Sequence, residues 1–178
     1  MEIEEMTSPA QRGGSPAGSV PGCPYPFLPV LGAYELKQTD PLVHAYVGDA
    51  VYELFVRISL SRTPVTNTRM HLQAVSIVNA QSQQRAYRVI RDSLTREEAD
   101  VFRRGRNASG HAHPRHASPM EYADATGLEA LFGWLWLGGG SLRAWELFEL
   151  IWSRLEEVAA DMGSWTSVRD KSADKGDR

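Results

Sequence analysis

Two carboxylates stand where an acid is costly. Asp49 lies in Tyr46-Val47-Gly48-Asp49-Ala50-Val51-Tyr52-Glu53, and Glu129 lies in Thr126-Gly127-Leu128-Glu129-Ala130-Leu131-Phe132-Gly133. Both stretches read as apolar helix, and an ionised carboxylate there must be paired, hydrogen-bonded or bound to a cation. Brought together by folding, the two would form an oxygen-ligand site suited to Mg2+. An ion so held activates water and stabilises charge on a phosphoryl oxygen, the chemistry of phosphodiester hydrolysis. The same acids could instead cap buried polar contacts or pair with arginines, and the residues alone leave that reading open. Glu53 shares a helix face with Asp49. It could orient a water beside the ion, or it could form an ion pair at the edge of the core.

A glycine inside a helix costs up to about 1 kcal/mol relative to alanine, so it implies a packing or functional gain. Gly48 beside Asp49, and Gly127, Ala130 and Gly133 around Glu129, therefore point to a close approach of a helix or a substrate.

The second chemical stretch is Phe102-Arg103-Arg104-Gly105-Arg106-Asn107-Ala108, followed by His111, His113, Arg115 and His116. Between Arg85 and His116 there are eight arginines against four acids, in a chain whose formal net charge is −3. The whole chain offers no attraction to nucleic acid, so any such surface must be local. This excess could hold phosphates without reading bases. The rigid guanidinium fork favours Arg103, Arg104 and Arg106 as clamps; a plain solvated loop is the competing reading. The three histidines lack fixed geometry or a nearby cysteine and do not support zinc. His44 and His71 read as polar packing partners. Gln73, Gln81, Gln83 and Gln84 make one side of a helix polar, a weak sign of sugar or phosphate contacts.

The elements that must carry these groups are helical. Asp40-Pro41 is a cap followed by a proline that needs no amide hydrogen, and the helix it opens runs to about Leu60. Thr63-Pro64 interrupts, and a second helix is predicted over 67 to 91. Thr95 and Glu98 form a capping box for a third, about 96 to 104. Residues 105 to 117 read as an irregular basic loop. Ser118-Pro119-Met120-Glu121 starts a fourth helix to Leu137, and Ser141 a last one through about Ala160. The tryptophans at 134, 136, 145 and 152 suit helix packing or a dimer interface. No alternating strand pattern appears, so the fold reads as all-α.

At 178 residues the chain can bury one substantial core. Pro, Gly and Ser dominate residues 1 to 35, which read as a disordered N-terminal arm. Residues 36 to 162 form the expected folded domain, and 163 to 178 a flexible C-terminal tail. A single cysteine, Cys23, excludes a disulfide framework. No stretch resembles a membrane span, and the acidic N-terminus does not resemble a secretory or plastid leader, so cytoplasm is the default.

Several separated motifs, in order, resemble those of mini-ribonuclease III, the compact bacterial relatives of ribonuclease III. They are Ala45-Tyr46-Val47-Gly48-Asp49-Ala50, Val78-Asn79-Ala80-Gln81-Ser82-Gln83, Arg104-Gly105-Arg106-Asn107-Ala108 and Glu129-Ala130-Leu131-Phe132-Gly133-Trp134-Leu135. The match runs from about Asp40 to Ala160. It implies a ribonuclease III catalytic-domain fold acting as a homodimer, with Asp49 and Glu129 as the metal-associated catalytic carboxylates. It also implies double-stranded RNA as substrate, cleaved to 5′-phosphate and 3′-hydroxyl ends, in maturation of a 23S ribosomal RNA precursor. Assistance by a ribosomal protein is left open. With no separate RNA-binding domain in the sequence, recognition would fall to the dimer surface and to Arg103, Arg104, Arg106, Asn107 and Arg115. Two departures bear on metal binding: Ala45 and Thr126 stand where larger family members carry acids. The competing readings are a non-catalytic double-stranded-RNA-binding homodimer and a helical scaffold.

Overall fold

The computed structural model describes residues 30–62, 66–110 and 118–155. Among them there is no strand: the elements are α1 (Ala33–Gln38), α2 (Pro41–Ser61), α3 (Asn67–Val78), α4 (Ala80–Ile90), a single 3-10 turn (Arg91–Ser93), α5 (Arg96–Ala108), α6 (Pro119–Leu137) and α7 (Ser141–Ser153). No described helix is long and apolar enough to cross a membrane.

The cap signals work as read. The Asp40 carboxylate accepts from the Leu42 amide at 2.8 Å, with Pro41 in the first turn. Thr95 with Glu98, and Ser118 with Glu121, form reciprocal capping boxes that fix the starts of α5 and α6. These boxes satisfy amides that the first turn of a helix leaves without partners.

Three local outcomes differ from the sequence reading. The helix expected over 67 to 91 is two helices broken at Asn79, whose backbone is extended. Its side-chain amide donates to the Ser76 carbonyl at 2.7 Å while its carbonyl oxygen accepts from the Ser82 amide at 3.0 Å. One side chain thus ends α3 and begins α4, offering the backbone an alternative to continuous helix. In contrast, α5 continues past residue 104 to Ala108, so Gly105, Arg106 and Asn107 are helical and Gly105 is buried. Upstream of the boundary expected near residue 36, the Leu31 amide donates to the Leu137 carbonyl at 2.8 Å, and Leu36 is buried. At the other end α7 spans Ser141–Ser153, and the end expected near Ala160 lies outside the described residues. Residues 1–29, the loop segment with His111, His113, Arg115 and His116, and residues 156–178 lie outside the described residues.

The long α6 is the axis of the molecule, with α2, α4 and α5 packed around it. Leu128, Leu131 and Phe132 are fully buried along it. Phe132 meets Tyr52 and Phe55 of α2 edge-on, with ring centroids 5.3 and 6.3 Å apart. Trp136 and Trp145 close over Phe55 at 5.9 and 5.1 Å, and Trp152 stacks near Phe148 at 5.7 Å. The tryptophans are therefore core-edge packing, as edge-to-face aromatic geometry favours.

Candidate active site

The site is made by the crossing of α2 over α6, and glycine makes the crossing possible. A methyl group on Gly48 would overlap the backbone carbonyl of Glu129, and one on Gly133 would overlap the carbonyl of His44. The two helices touch backbone to backbone there, one residue from Asp49 and at Glu129 itself. Gly127 has a different task from the one its sequence position suggests. A methyl there would meet the Phe102 ring at 2.8 Å, so it admits α5, not a group at the acid site.

The crossing brings Asp49 and Glu129 into one electrostatic site. Burial, followed by the nearby Asp49 charge, pushes Glu129 up to about 7. Asp49 is exposed, yet the apolar helix surface around it and then Glu53 raise its pKa as well. The repulsion between the two falls on Glu129, the more buried member, which holds its proton longer. Opposing this, the side-chain amide of Gln83 draws the Glu129 pKa down. Gln83 Nε2 nevertheless has no acceptor at full hydrogen-bond geometry, so its contact with Glu129 is an approach and not a completed bond.

Two carboxylates that destabilise each other are a donor set suited to a hard divalent cation, which would relieve their repulsion. Among the described residues no group of three or more His, Cys, Asp or Glu side chains is placed to hold a metal. An ion of the Mg2+ type commonly binds through one or two carboxylates together with waters and substrate phosphates. Thr126, in place of an acid, turns its hydroxyl back to donate to the Tyr122 carbonyl at 3.0 Å. Glu53 resolves toward its second reading, since the Arg57 guanidinium donates to its carboxylate one turn away.

The arginines divide. Arg103 is exposed and donates to Asp100 at 2.8 Å on the same helix. Arg106 donates through Nε to Asp124 at 2.6 Å, tying α5 to α6. Asp124 also accepts from Gln84 Nε2 at 2.9 Å, which brings α4 into the same clasp. Arg104 is exposed and pairs with no carboxylate among the described residues, and its charge lies near enough to lower the pKa of buried His44, after burial itself. Asn107 is exposed on the last turn of α5. Gln83 and Gln84, expected on a polar face, are 1% and 6% exposed and belong to the core. Asp124 had no sequence signal beyond being an acid two residues before Thr126.

A ribonuclease III domain model matches residues 42–140, which contain both carboxylates and the crossing that joins them. The chain belongs to the ribonuclease III family. Within it, the chain is 46% identical over 110 residues to a mini-ribonuclease 3 of Symbiobacterium thermophilum, covering 61% of this chain and 85% of that one. A mini-ribonuclease 3 of Clostridium tetani is 38% identical over 132 residues, covering 72% and 87%. A crystal structure of a Fusobacterium nucleatum protein superposes with a TM-score of 0.62 at 25% identity, covering 67% of this chain and 96% of that one. The chain is thus an endoribonuclease of the ribonuclease III family, on its mini-ribonuclease III branch.

Proposed function

We propose that this mini-ribonuclease III cleaves double-stranded RNA with Mg2+, as a cytoplasmic homodimer, leaving 5′-phosphate and 3′-hydroxyl ends. The observation that carries the reading is the meeting of Asp49 and Glu129 at the α2–α6 crossing, where burial and the Asp49 charge raise the cost of ionising Glu129. Bound there, Mg2+ would supply an activated water and neutralise charge on a phosphoryl oxygen. The chain's own part is to fix the two carboxylates on abutting backbones and to keep Glu53 engaged with Arg57 beside them.

Duplex RNA is recognised mainly through shape, phosphates and 2′-hydroxyls. Arg104, with Arg103 able to exchange its weak surface pair for a phosphate, fits that task from the exposed side of α5. Arg106 serves RNA only beside its structural tie to Asp124. Arg115 is kept as a phosphate contact on sequence grounds. The homodimer is supported by an apolar stripe on α2: Leu42, Tyr46 and Leu54 are 46%, 82% and 45% exposed, at helical spacing beside Asp49. A second copy covering it would set two cleavage centres along one duplex. By relationship to its branch, the substrate is a precursor of 23S ribosomal RNA, with a ribosomal protein as a candidate assistant.

The test is cleavage of a structured 23S precursor with and without Mg2+, followed by mapping of both product ends. Paired, staggered cuts bearing 5′-phosphates are expected from wild type and none from Asp49→Asn. Duplex binding with no cleavage by the wild type would replace this reading with the non-catalytic RNA-binding homodimer.

A further inference from the structure

We propose that Gln83 is a positioning residue for Glu129, its side-chain amide fixing the carboxylate so that one oxygen faces Asp49; this rests on the metal-dependent reading above. Gln83 is 1% exposed, and its Nε2 is a buried donor without a completed hydrogen bond. Burying such a group unpaired is unfavourable unless something nearby uses it. Helix α4, which carries Gln83, packs against α6, which carries Glu129, and the Gln83 amide is near enough to lower the Glu129 pKa.

Its placement is built by the chain break at Asn79. The Asn79 cap starts α4 afresh, and the Ser82 hydroxyl donates to the Ser76 carbonyl at 2.7 Å across the break. These bonds fix the first turn of α4, in which Gln83 is buried, and α4 packs against α6. A carboxamide nitrogen donates and does not ligate a cation, so it would occupy the Glu129 oxygen directed away from the ion. Glutamate has a long, mobile side chain, and locking it in place before the cation arrives removes an ordering cost from binding. Partners of metal-ligating groups typically account for roughly tenfold to a hundredfold in metal affinity or activity.

The discriminating variant is Gln83→Met, which keeps length and apolar packing but removes the donor. Mn2+ binding is measured by calorimetry without RNA, alongside the Mg2+ dependence of duplex cleavage and the melting temperature. Expected are Mn2+ affinity weakened about tenfold, a similar rise in the Mg2+ concentration for half-maximal cleavage, and an unchanged KM for RNA at saturating Mg2+. Gln83→Asn, which retains the amide one methylene short, should fall between the two. A folded Gln83→Met with wild-type Mn2+ affinity overturns the proposal, whatever its cleavage rate. Should both variants unfold, Gln83 is a packing residue and the proposal is likewise overturned. A wild type without metal-dependent cleavage would instead overturn the proposed function, so the two failures are distinguishable.

Discussion

Among the described residues, two glutamates are largely withdrawn from water, and they meet opposite treatment. Glu98, at the start of α5, is 4% exposed and fully engaged. Arg143 donates to it through Nε at 2.8 Å and Nη2 at 3.1 Å, and the Thr95 amide donates at 2.8 Å. Burial alone would raise its pKa, but the Arg143 and Thr95 bonds outweigh it and the net shift is downward. Glu129 meets another carboxylate and only a partial contact from Gln83, and its pKa rises to about 7. The first arrangement holds α5 to α7. The second stores unfavourable electrostatics at a place that a cation can relieve, and strained, costly groups of this kind concentrate where function is built.

Substitution sharpens that contrast most. Glu129→Gln should reduce Mg2+-dependent cleavage roughly a thousandfold, since it removes a charged ligand worth several kcal/mol to the transition state. It should also raise the melting temperature of the metal-free protein at pH 8. Glu98→Gln should do the reverse, lowering the melting temperature while leaving cleavage by the folded fraction near wild type. Kinetics and thermal melts on both variants check the pair; a destabilised Glu129→Gln would break the comparison.

The pH dependence of stability should carry the same signature. Glu129 binds its proton more tightly folded than unfolded. The metal-free protein should therefore lose stability as pH rises from about 4.5 to about 7, by on the order of 3 kcal/mol. Glu98 is depressed, so its stabilisation is complete above its unfolded pKa and lost as pH falls through the folded value. Denaturant melts from pH 4 to 8 should show a maximum on the acidic side. Saturating Mg2+ should flatten the neutral limb, and a slope unaffected by Mg2+ would contradict the shared site.

Backbone contacts give a smaller effect. Gly48→Ala should destabilise by about 1–3 kcal/mol, because overpacking the crossing outweighs the alanine's helix preference. It should also depress cleavage, since it pushes α2 off Glu129. Gly127→Ala strikes the Phe102 ring at the other face of α6 and should cost stability with less effect on cleavage per folded molecule. Equal losses of activity from both would show that α2–α6 contact is not special to the site.

The smallest effect concerns the arginines. Arg104→Ala should weaken duplex binding and reduce the slope of log affinity against log salt by about one. Arg106→Ala should mainly lower the melting temperature, because it opens the clasp on Asp124.

The sequence showed clearly whatever is decided locally. Caps at Asp40, Thr95 and Ser118 are short-range chemistry, and the helix starts followed them. Gly48 and Gly133 announced a close approach because glycine is otherwise unfavourable in a helix. Long-range partnerships were not legible. Asn79 lies within an unbroken apolar period, so its double role as end and start of a helix was hidden. Arg106 looked like Arg103 until folding placed Asp124 beside it. Gln83 reads as polar and therefore outward in the sequence, whereas in the fold it is buried on a helix packed against α6.

The central claim is that Asp49 and Glu129 share one cation. Mn2+ titration followed by electron spin resonance of the free ion, on wild type, Asp49→Asn, Glu129→Gln and the double variant, tests it directly. The account predicts that either single change weakens binding nearly as much as both together, because each carboxylate depends on the other. Effects that simply add, or Mn2+ binding indifferent to either change, would contradict it.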